Sequence, residues 1–274
     1  MPAISFEFFP PKTEEQRNQL NLCVKALKTR SPEYVSVTFG AGGSTLNYTE
    51  QTVQQLHRQH GLQVAPHLSC VGGTREELSE LLDRYKAIGC RRIVALRGDL
   101  PSGMATPGDF RYAVELVDHI RRHSGDWFHV EVAAYPEIHP QSESAITDLH
   151  HFKAKVDAGA NGAITQYFYN ADAYFRFVDD VHRLGVDIPI VPGIMPIGNF
   201  SQLRRFSEGC GAEIPRWIVR RMQALGDDAE AIRQLGIDIV ASLGQRLLDG
   251  GAPGLHLYTL NRSKPALAIL DRLQ

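Results

Sequence analysis

The stretch VAPHLSCVGGTREELSELLDRYKAIGCRRIVALRG, residues 64–98, holds one complete strand–helix–strand passage. VAPHLS (64–69) reads as a short strand. TREELSELLDRYKAIG (74–89) changes to a pattern in which apolar residues return every three or four positions, the period of a helix. Thr74 is placed to cap that helix and Gly89 to end it. RIVALRG (92–98) then opens the next strand. A helix set between two strands of one sheet makes them parallel, with a right-handed crossover.

The same rhythm runs through the chain. ISFEF (4–8) precedes a helical pattern over 13–28, and YVSVTF (34–39) precedes one over 45–60. RIVALRG is followed by 108–123, FHVEVAAY (128–135) by 143–158, and GAITQYF (162–168) by 171–184. IPIVPGI (188–194) leads to helices over 199–208 and 213–248, and GLHLYTL (254–260) to a last helix at 264–273. Eight β-then-α units without a composition break predict a single α/β domain, a closed (β/α)₈ barrel over residues 1–274. An open dinucleotide-binding sheet would want G-x-G-x-x-G, which is absent. FGAGGST (39–45) is the nearest match, and it reads either as a flexible turn or as backbone approaching a ligand.

Composition narrows the function. A net charge of −2, with 43% apolar and 22% charged residues, gives no reason to expect nucleic acid or an anionic membrane as partner. No apolar run is long enough to span a bilayer, and strand character beginning by Ile4 predicts that no signal peptide is present. Cys23, Cys70, Cys90 and Cys210 lack C-x-x-C spacing, so reduced thiols in a cytoplasm are expected rather than zinc or a redox motif. That location also argues against reading Arg97-Gly98-Asp99 as an adhesion motif.

A barrel enzyme works at the C-terminal ends of its strands. Those ends are polar here: Glu7, Thr38, His67, Arg97 with Asp99, the segment AAYPEIHP (133–140), Gln166 and YTLNR (258–262). Each alone has an innocent explanation, and a lone strand-end His or Gln is more often a hydrogen-bonded structural residue; it is their coincidence at one rim that points to catalysis. Glu7 carries the most information, because strand alternation puts Phe6 and Phe8 on one face and Glu7 on the other. A carboxyl in a partly apolar site holds its proton more tightly than in water and becomes a usable general acid. No lysine lies inside a strand for Schiff-base chemistry, and only Lys12 lies near a strand end. His57/His60 and His150/His151 fall on helical segments rather than converging on a metal. A Glu7/Asp99 glycosidase pair remains open, but Arg97, Tyr135, His139 and Lys155 point to a larger anionic ligand.

SFEFFPPK, YVSVTFGAGG, APHLSC, IVALRGDLP, VAAYPEIHP, KVDAGANGAITQYFY, PGIMPIGNF and YTLNRS occur in this order over residues 4–263. Some are weak alone; the ordered set resembles the bacterial methylenetetrahydrofolate reductase family, flavin-containing (β/α)₈ barrels. The resemblance implies FAD at the barrel mouth, with Arg97 and Lys155 near its pyrophosphate. It places His67, Gly98, Asp99, Ala113, Tyr135, His139, Asp148 and Lys155 around flavin, ribose and adenine, and Thr38, Phe39 and Ala41 near the isoalloxazine. His151 falls among these positions, where the family carries another polar residue. Gln166 is implied as a contact shared by nicotinamide and folate. Gln202 and Phe206, four apart on one helical face, and Arg262 are implied as folate contacts.

The implied reaction is ping-pong. NADH or NADPH passes hydride to flavin N5 and leaves, and methylenetetrahydrofolate takes its place. Glu7 protonates N10 to open the folate ring, and hydride from N5 yields methyltetrahydrofolate. Asp99, a fixed negative charge, tunes the flavin and stabilises the iminium cation. No ribose-recognising motif separates NADH from NADPH. The family implies a homo-oligomer, although no interface stripe stands out. The alternatives are another FAD-dependent barrel oxidoreductase acting on an imine or amine, and a catalytically silent folate- or flavin-binding barrel.

Overall fold

A computed structural model describes residues 2–39, 46–70, 73–98 and 108–273. Strand and helix alternate as β1 (Ala3–Phe8), α1 (Glu14–Lys28), β2 (Tyr34–Val37), α2 (Leu46–His60), β3 (Val64–Ser69), α3 (Arg75–Ile88), β4 (Arg92–Leu96), α4 (Ala113–Ser124), β5 (His129–Ala134), α5 (Ala145–Asp157), β6 (Gly162–Thr165) and α6 (Ala171–Arg183). The chain continues through β7 (Ile190–Val191), β8 (Gly193–Ile194), α7 (Phe200–Cys210), α8 (Arg216–Ala224), α9 (Ala229–Asp249), β9 (Gly254–Tyr258) and α10 (Ser263–Leu270). All pairings are parallel, in the order β7-β6-β5-β4-β3-β2-β1-β9-β8.

β7 and β8 are two halves of the predicted seventh strand, separated by Pro192. The first half pairs with β6 and the second with β9, so this one strand joins both ends of the sheet and closes the (β/α)₈ barrel. Proline has no N–H for a ladder, which explains the break. Its carbonyl still accepts from the His256 N–H at 3.0 Å.

Alternation sorts the strand side chains into two cores. Phe6 and Phe8 are fully buried in the main core with helix residues such as Leu20, Leu81 and Val117. Each such aromatic contributes about 1.5–3 kcal/mol. Tyr34, Ala65, Val94 and Ile164 form a separate cluster drawn from strands alone, which is the filling of the barrel interior. Beneath it the buried Glu131 carboxylate accepts from Arg92 Nη1 at 2.7 Å, and His129 Nε2 lies 3.1 Å away. Gly162 opposite has no room for a side chain, since a Cβ there would lie 2.5 Å from Glu131 Oε2.

Local chemistry sets the helix ends. Thr74 and Glu77 form a reciprocal capping box on α3, and Gly89 closes it in the left-handed region at φ 98°. The pattern over 213–248, expected as one helix, is two. Gly226 turns the chain at φ 54°, and the Asp228 side chain accepts from Glu230 and Ala231 N–H to start α9. The pattern over 108–123 becomes helical only from Ala113, because the Glu115 carboxylate takes the Arg111 and Tyr112 N–H groups at 2.6 and 3.1 Å. Several strands also stop short of their expected ends, at Val37, Leu96, Thr165 and Tyr258. There the backbone leaves the sheet to carry the mouth loops, as Gly98 does at φ 82°. Among the described residues no helix is long and apolar enough to cross a membrane.

Candidate active site

A cavity of about 770 Å³ opens at the C-terminal mouth of the barrel, a size that suits a small-molecule or cofactor site. Every strand position reaches it. Glu7 lies on β1 and Phe9 follows it, Thr38 and Phe39 follow β2, His67 lies on β3, and Leu96 ends β4 with Arg97 after it. Ala133 lies on β5 and Tyr135 follows it, Gln166 follows β6, Met195 follows β8, and Tyr258 and Leu260 close the ring; Phe206 overhangs from α7.

Glu7 is the focus. Its side chain is 12% exposed, with Oε2 at 3.4 Å from His67 Nε2 and 4.0 Å from His256 Nε2. Burial pushes the His67 pKa down to about 4; the Glu7 carboxylate opposes this shift and His256 adds to it. At pH 7 roughly one His67 in a thousand carries a charge, so its contact with Glu7 is not a formal ion pair. The buried Nε2 atoms of His67 and His256 lack a protein hydrogen-bond partner. His256 Nδ1 lies 2.7 Å from the Ser5 hydroxyl. If Ser5 donates there, the ring hydrogen sits on Nε2, the nitrogen nearest Glu7.

The strand ends around this group are tied down. The Arg97 carbonyl accepts from Ser69 Oγ at 3.1 Å and Cys70 Sγ at 3.0 Å. Burial pushes the Cys70 thiol up to about 11, which keeps it a donor. Thr38 donates its N–H to the Phe8 carbonyl at 3.0 Å, and its own carbonyl takes Thr49 Oγ1 at 3.0 Å. Gln166 Oε1 accepts the Tyr167 N–H at 3.0 Å, which leaves its NH₂ to donate to a ligand. Asp148 on α5 accepts from two residues of the loop after β5, the His139 N–H and Ser142 Oγ, both at 2.9 Å. This holds His139 edge-on to Tyr135, with ring centroids 4.5 Å apart. Lys155 Nζ donates to the Ala133 carbonyl at 2.5 Å, behind the cavity wall. Burial pushes its pKa down to about 8, against the pull of Asp148.

The family model for methylenetetrahydrofolate reductase matches residues 1–274. The chain belongs to the methylenetetrahydrofolate reductase family. It is 40% identical over 270 residues to the 5,10-methylenetetrahydrofolate reductase of Salmonella typhimurium, covering 98% of this chain and 90% of that protein. It is 39% identical over 284 residues to methylenetetrahydrofolate reductase (NADH) 1 of Zea mays, covering 99% of this chain and 48% of the longer plant protein. A Clostridium thermocellum protein described as binding two copies of 5-methyl-5,6,7,8-tetrahydrofolic acid shares the fold, with a TM-score of 0.67 at 18% identity, covering 99% of this chain and 93% of that one.

Of the residues that the family pattern singles out, Glu7, Thr38, Phe39, His67, Arg97, Tyr135, His139, Gln166 and Phe206 line the cavity. Others stand off its wall. Ala113 is the first residue of α4, Gln202 sits one helical turn before Phe206, and Asp148 and Lys155 support the β5 side from behind. His151 is exposed on α5, and Arg262 is exposed after β9. Gly98 provides the left-handed turn after Arg97. Ala41 and Asp99 lie outside the described residues.

His256 was not among the strand-end candidates. Its signal was present: GLHLY alternates so that His256 and Tyr258 share a face, and the register sets His256 beside Ser5 and Tyr258 beside Glu7.

Proposed function

We propose that this chain reduces 5,10-methylenetetrahydrofolate to 5-methyltetrahydrofolate with NADH or NADPH, using FAD, and that residues 1–274 act as one cytoplasmic catalytic domain. The observation that carries this reading is Glu7: a sheltered carboxyl at the floor of a large barrel-mouth cavity, in a chain of this family. The names of the plant relatives support a reduced nicotinamide, and that of the Clostridium protein supports a folate in this fold.

The residues present fit a flavin dinucleotide. Arg97 offers a guanidinium to a pyrophosphate, and the unpartnered Nε2 of buried His67 offers one hydrogen-bonding atom to a heterocycle. Tyr135 and His139 give an aromatic wall, steadied by Asp148, with Lys155 adding charge from behind. The family resemblance further assigns Gly98, Ala113, His151, Thr38, Phe39 and Ala41 to the cofactor's surroundings; of these, Thr38 and Phe39 line the cavity, and Ala41 lies outside the described residues. When bound, FAD supplies a two-electron carrier between two substrates that use the site in turn.

The chain's own groups do the rest. Glu7 is the donor of the proton to N10 of the folate, whose protonation opens the five-membered ring. The Ser5–His256 pair orients the floor beneath that carboxyl, and neutral His67 packs beside it without competing for the role. The Gln166 amide meets each planar substrate in turn, and Phe206 with Gln202 and Arg262 receives the folate. Asp99, outside the described residues, is assigned by the family resemblance to supply negative charge to the developing cation. A homo-oligomer is the expected assembly.

Anaerobic stopped-flow absorbance tests this. The purified protein should be yellow, bleach with NADH or NADPH, and regain colour with methylenetetrahydrofolate. Bleaching without recovery means another flavoenzyme, and colour without bleaching means a silent binder. Colourless protein that gains no colour with added FAD removes the reading.

A further inference from the structure

The loop after β9 carries two adjacent residues in the left-handed region, Leu260 at φ 52° and Asn261 at φ 56°, and neither is glycine. Residues other than glycine hold such conformations only where their surroundings enforce them, and these sites cluster at functional centres. Here the surroundings are the end of β1. The Asn261 amide is bonded twice to one residue: the Phe9 N–H donates to Oδ1 at 2.9 Å, and Nδ2 donates to the Phe9 carbonyl at 2.9 Å. The Thr259 hydroxyl donates to the Glu7 carbonyl at 2.6 Å and accepts the Asn261 N–H at 3.1 Å.

Three of these bonds bracket Glu7, Phe8 and Phe9, and the fourth ties Thr259 to Asn261 within the loop. They hold the chain where ladder pairing has ended, since the β1–β9 register stops at Glu7↔Tyr258. Phe9 and Leu260 both line the cavity, and Phe9 is 43% exposed. With 43% of it exposed, the placement of Phe9 leans on the backbone beneath it.

We propose that Thr259 and Asn261 are positioning residues: they fix the Glu7 carboxyl and the Phe9–Leu260 wall against the folate, across the seam between the first and last strands. This rests on the reductase reading above. The seam matters to the half-reaction in which Glu7 acts. Reduction of the flavin by the nicotinamide, which needs no protein acid, is not expected to depend on it.

The test compares Thr259→Val with Thr259→Ser, and adds Asn261→Ala. Valine keeps the shape of threonine and loses the hydroxyl, whereas serine keeps the hydroxyl. Thermal melting and flavin content are measured first. The two half-reactions are then timed separately, and 5-methyltetrahydrofolate binding is followed calorimetrically on the oxidised protein. We expect Thr259→Val and Asn261→Ala to slow the folate half-reaction by about ten- to a hundredfold, the range for a small misplacement of a reacting group. Flavin reduction stays within about twofold of wild type, and Thr259→Ser restores the folate step. Asn261→Ala should also weaken 5-methyltetrahydrofolate binding, because Phe9 is no longer held. Wild-type folate rates in both variants overturn the proposal. So does a loss shared equally by both half-reactions and tracking the melting temperature, which marks a purely structural role. If wild type itself fails to reoxidise with methylenetetrahydrofolate, the reductase reading fails instead.

Discussion

Glu7→Gln is the sharpest perturbation, because it removes an acid and changes almost no volume. Loss of a general acid costs about 10²–10⁴-fold, or roughly 2.7–5.5 kcal/mol of barrier. A second acid at hand would soften that loss, and the nearest candidate is His67, 3.4 Å from the carboxylate. Its pKa lies at about 4, and the Glu7 charge is the influence that holds it up against burial. Removing that charge lowers it further, so fewer than about one molecule in a thousand offers an imidazolium proton at pH 7. Tyr258, beside Glu7 in register, is no better, since burial raises its phenol well above its ordinary value.

The substitution should thus show its full effect. In anaerobic stopped flow, Glu7→Gln is expected to bleach with the nicotinamide at a near-normal rate and to recover colour with methylenetetrahydrofolate at least about a hundredfold slower. Near-normal recovery would remove Glu7 from the mechanism. A recovery rate climbing about tenfold per pH unit from pH 7 to 5 would transfer the role to His67.

Arg97→Ala should leave the fold intact and weaken flavin retention by about 1–3 kcal/mol, read as the flavin lost on dilution and gel filtration. Full retention would take Arg97 away from the cofactor. Lys155, depressed to about 8 in the fold against 10.5 in the unfolded chain, binds fewer protons when folded, so its burial costs stability fully below about pH 8 and progressively less towards pH 10.5. Chemical denaturation of flavin-free wild type and Lys155→Met should show the difference moving in favour of wild type across that window, and a shift the other way would mean that Lys155 is not desolvated. Asp99→Asn should raise the flavin midpoint potential by tens of millivolts, about 30 mV per 1.4 kcal/mol of lost repulsion, with an unchanged potential placing this carboxylate away from the flavin.

What the sequence conveyed well was short-range. Thr74 and Gly89 bound α3 by chemistry lying within four residues of each end, and the facing of Glu7 against Phe6 and Phe8 follows from the two-residue period of any strand. Two breaks were signalled locally and overridden by periodicity. Pro192 inside IPIVPGI and Gly226 with Asp228 ahead of α9 are ordinary interrupters, but strong apolar patterns on either side made the segments look continuous. Partners were a different matter. That Glu7 lies between two imidazoles, and that Asp148 serves the His139 loop from behind, depends on register and on contacts between distant segments, which no spacing rule encodes.

The distances in sequence have a physical consequence. Ser5 meets His256 across 251 positions, and Thr259 and Asn261 reach Glu7 and Phe9 across 252. The cation at Arg97, the aromatic pair Tyr135–His139 and the amide of Gln166 instead sit on β4 to β6 and their loops, which pair with one another in chain order. The cavity thus has two parts of unequal provenance: a central wall built by successive neighbours, and a seam built only when the last strand docks on the first. Local opening of the β9–α10 unit would remove His256, Thr259, Leu260 and Asn261 together and leave the central wall standing. In the proposed reaction that wall holds the cofactor, whereas the seam positions the acid. A protein destabilised at the seam should therefore keep flavin under conditions in which folate reduction has already failed.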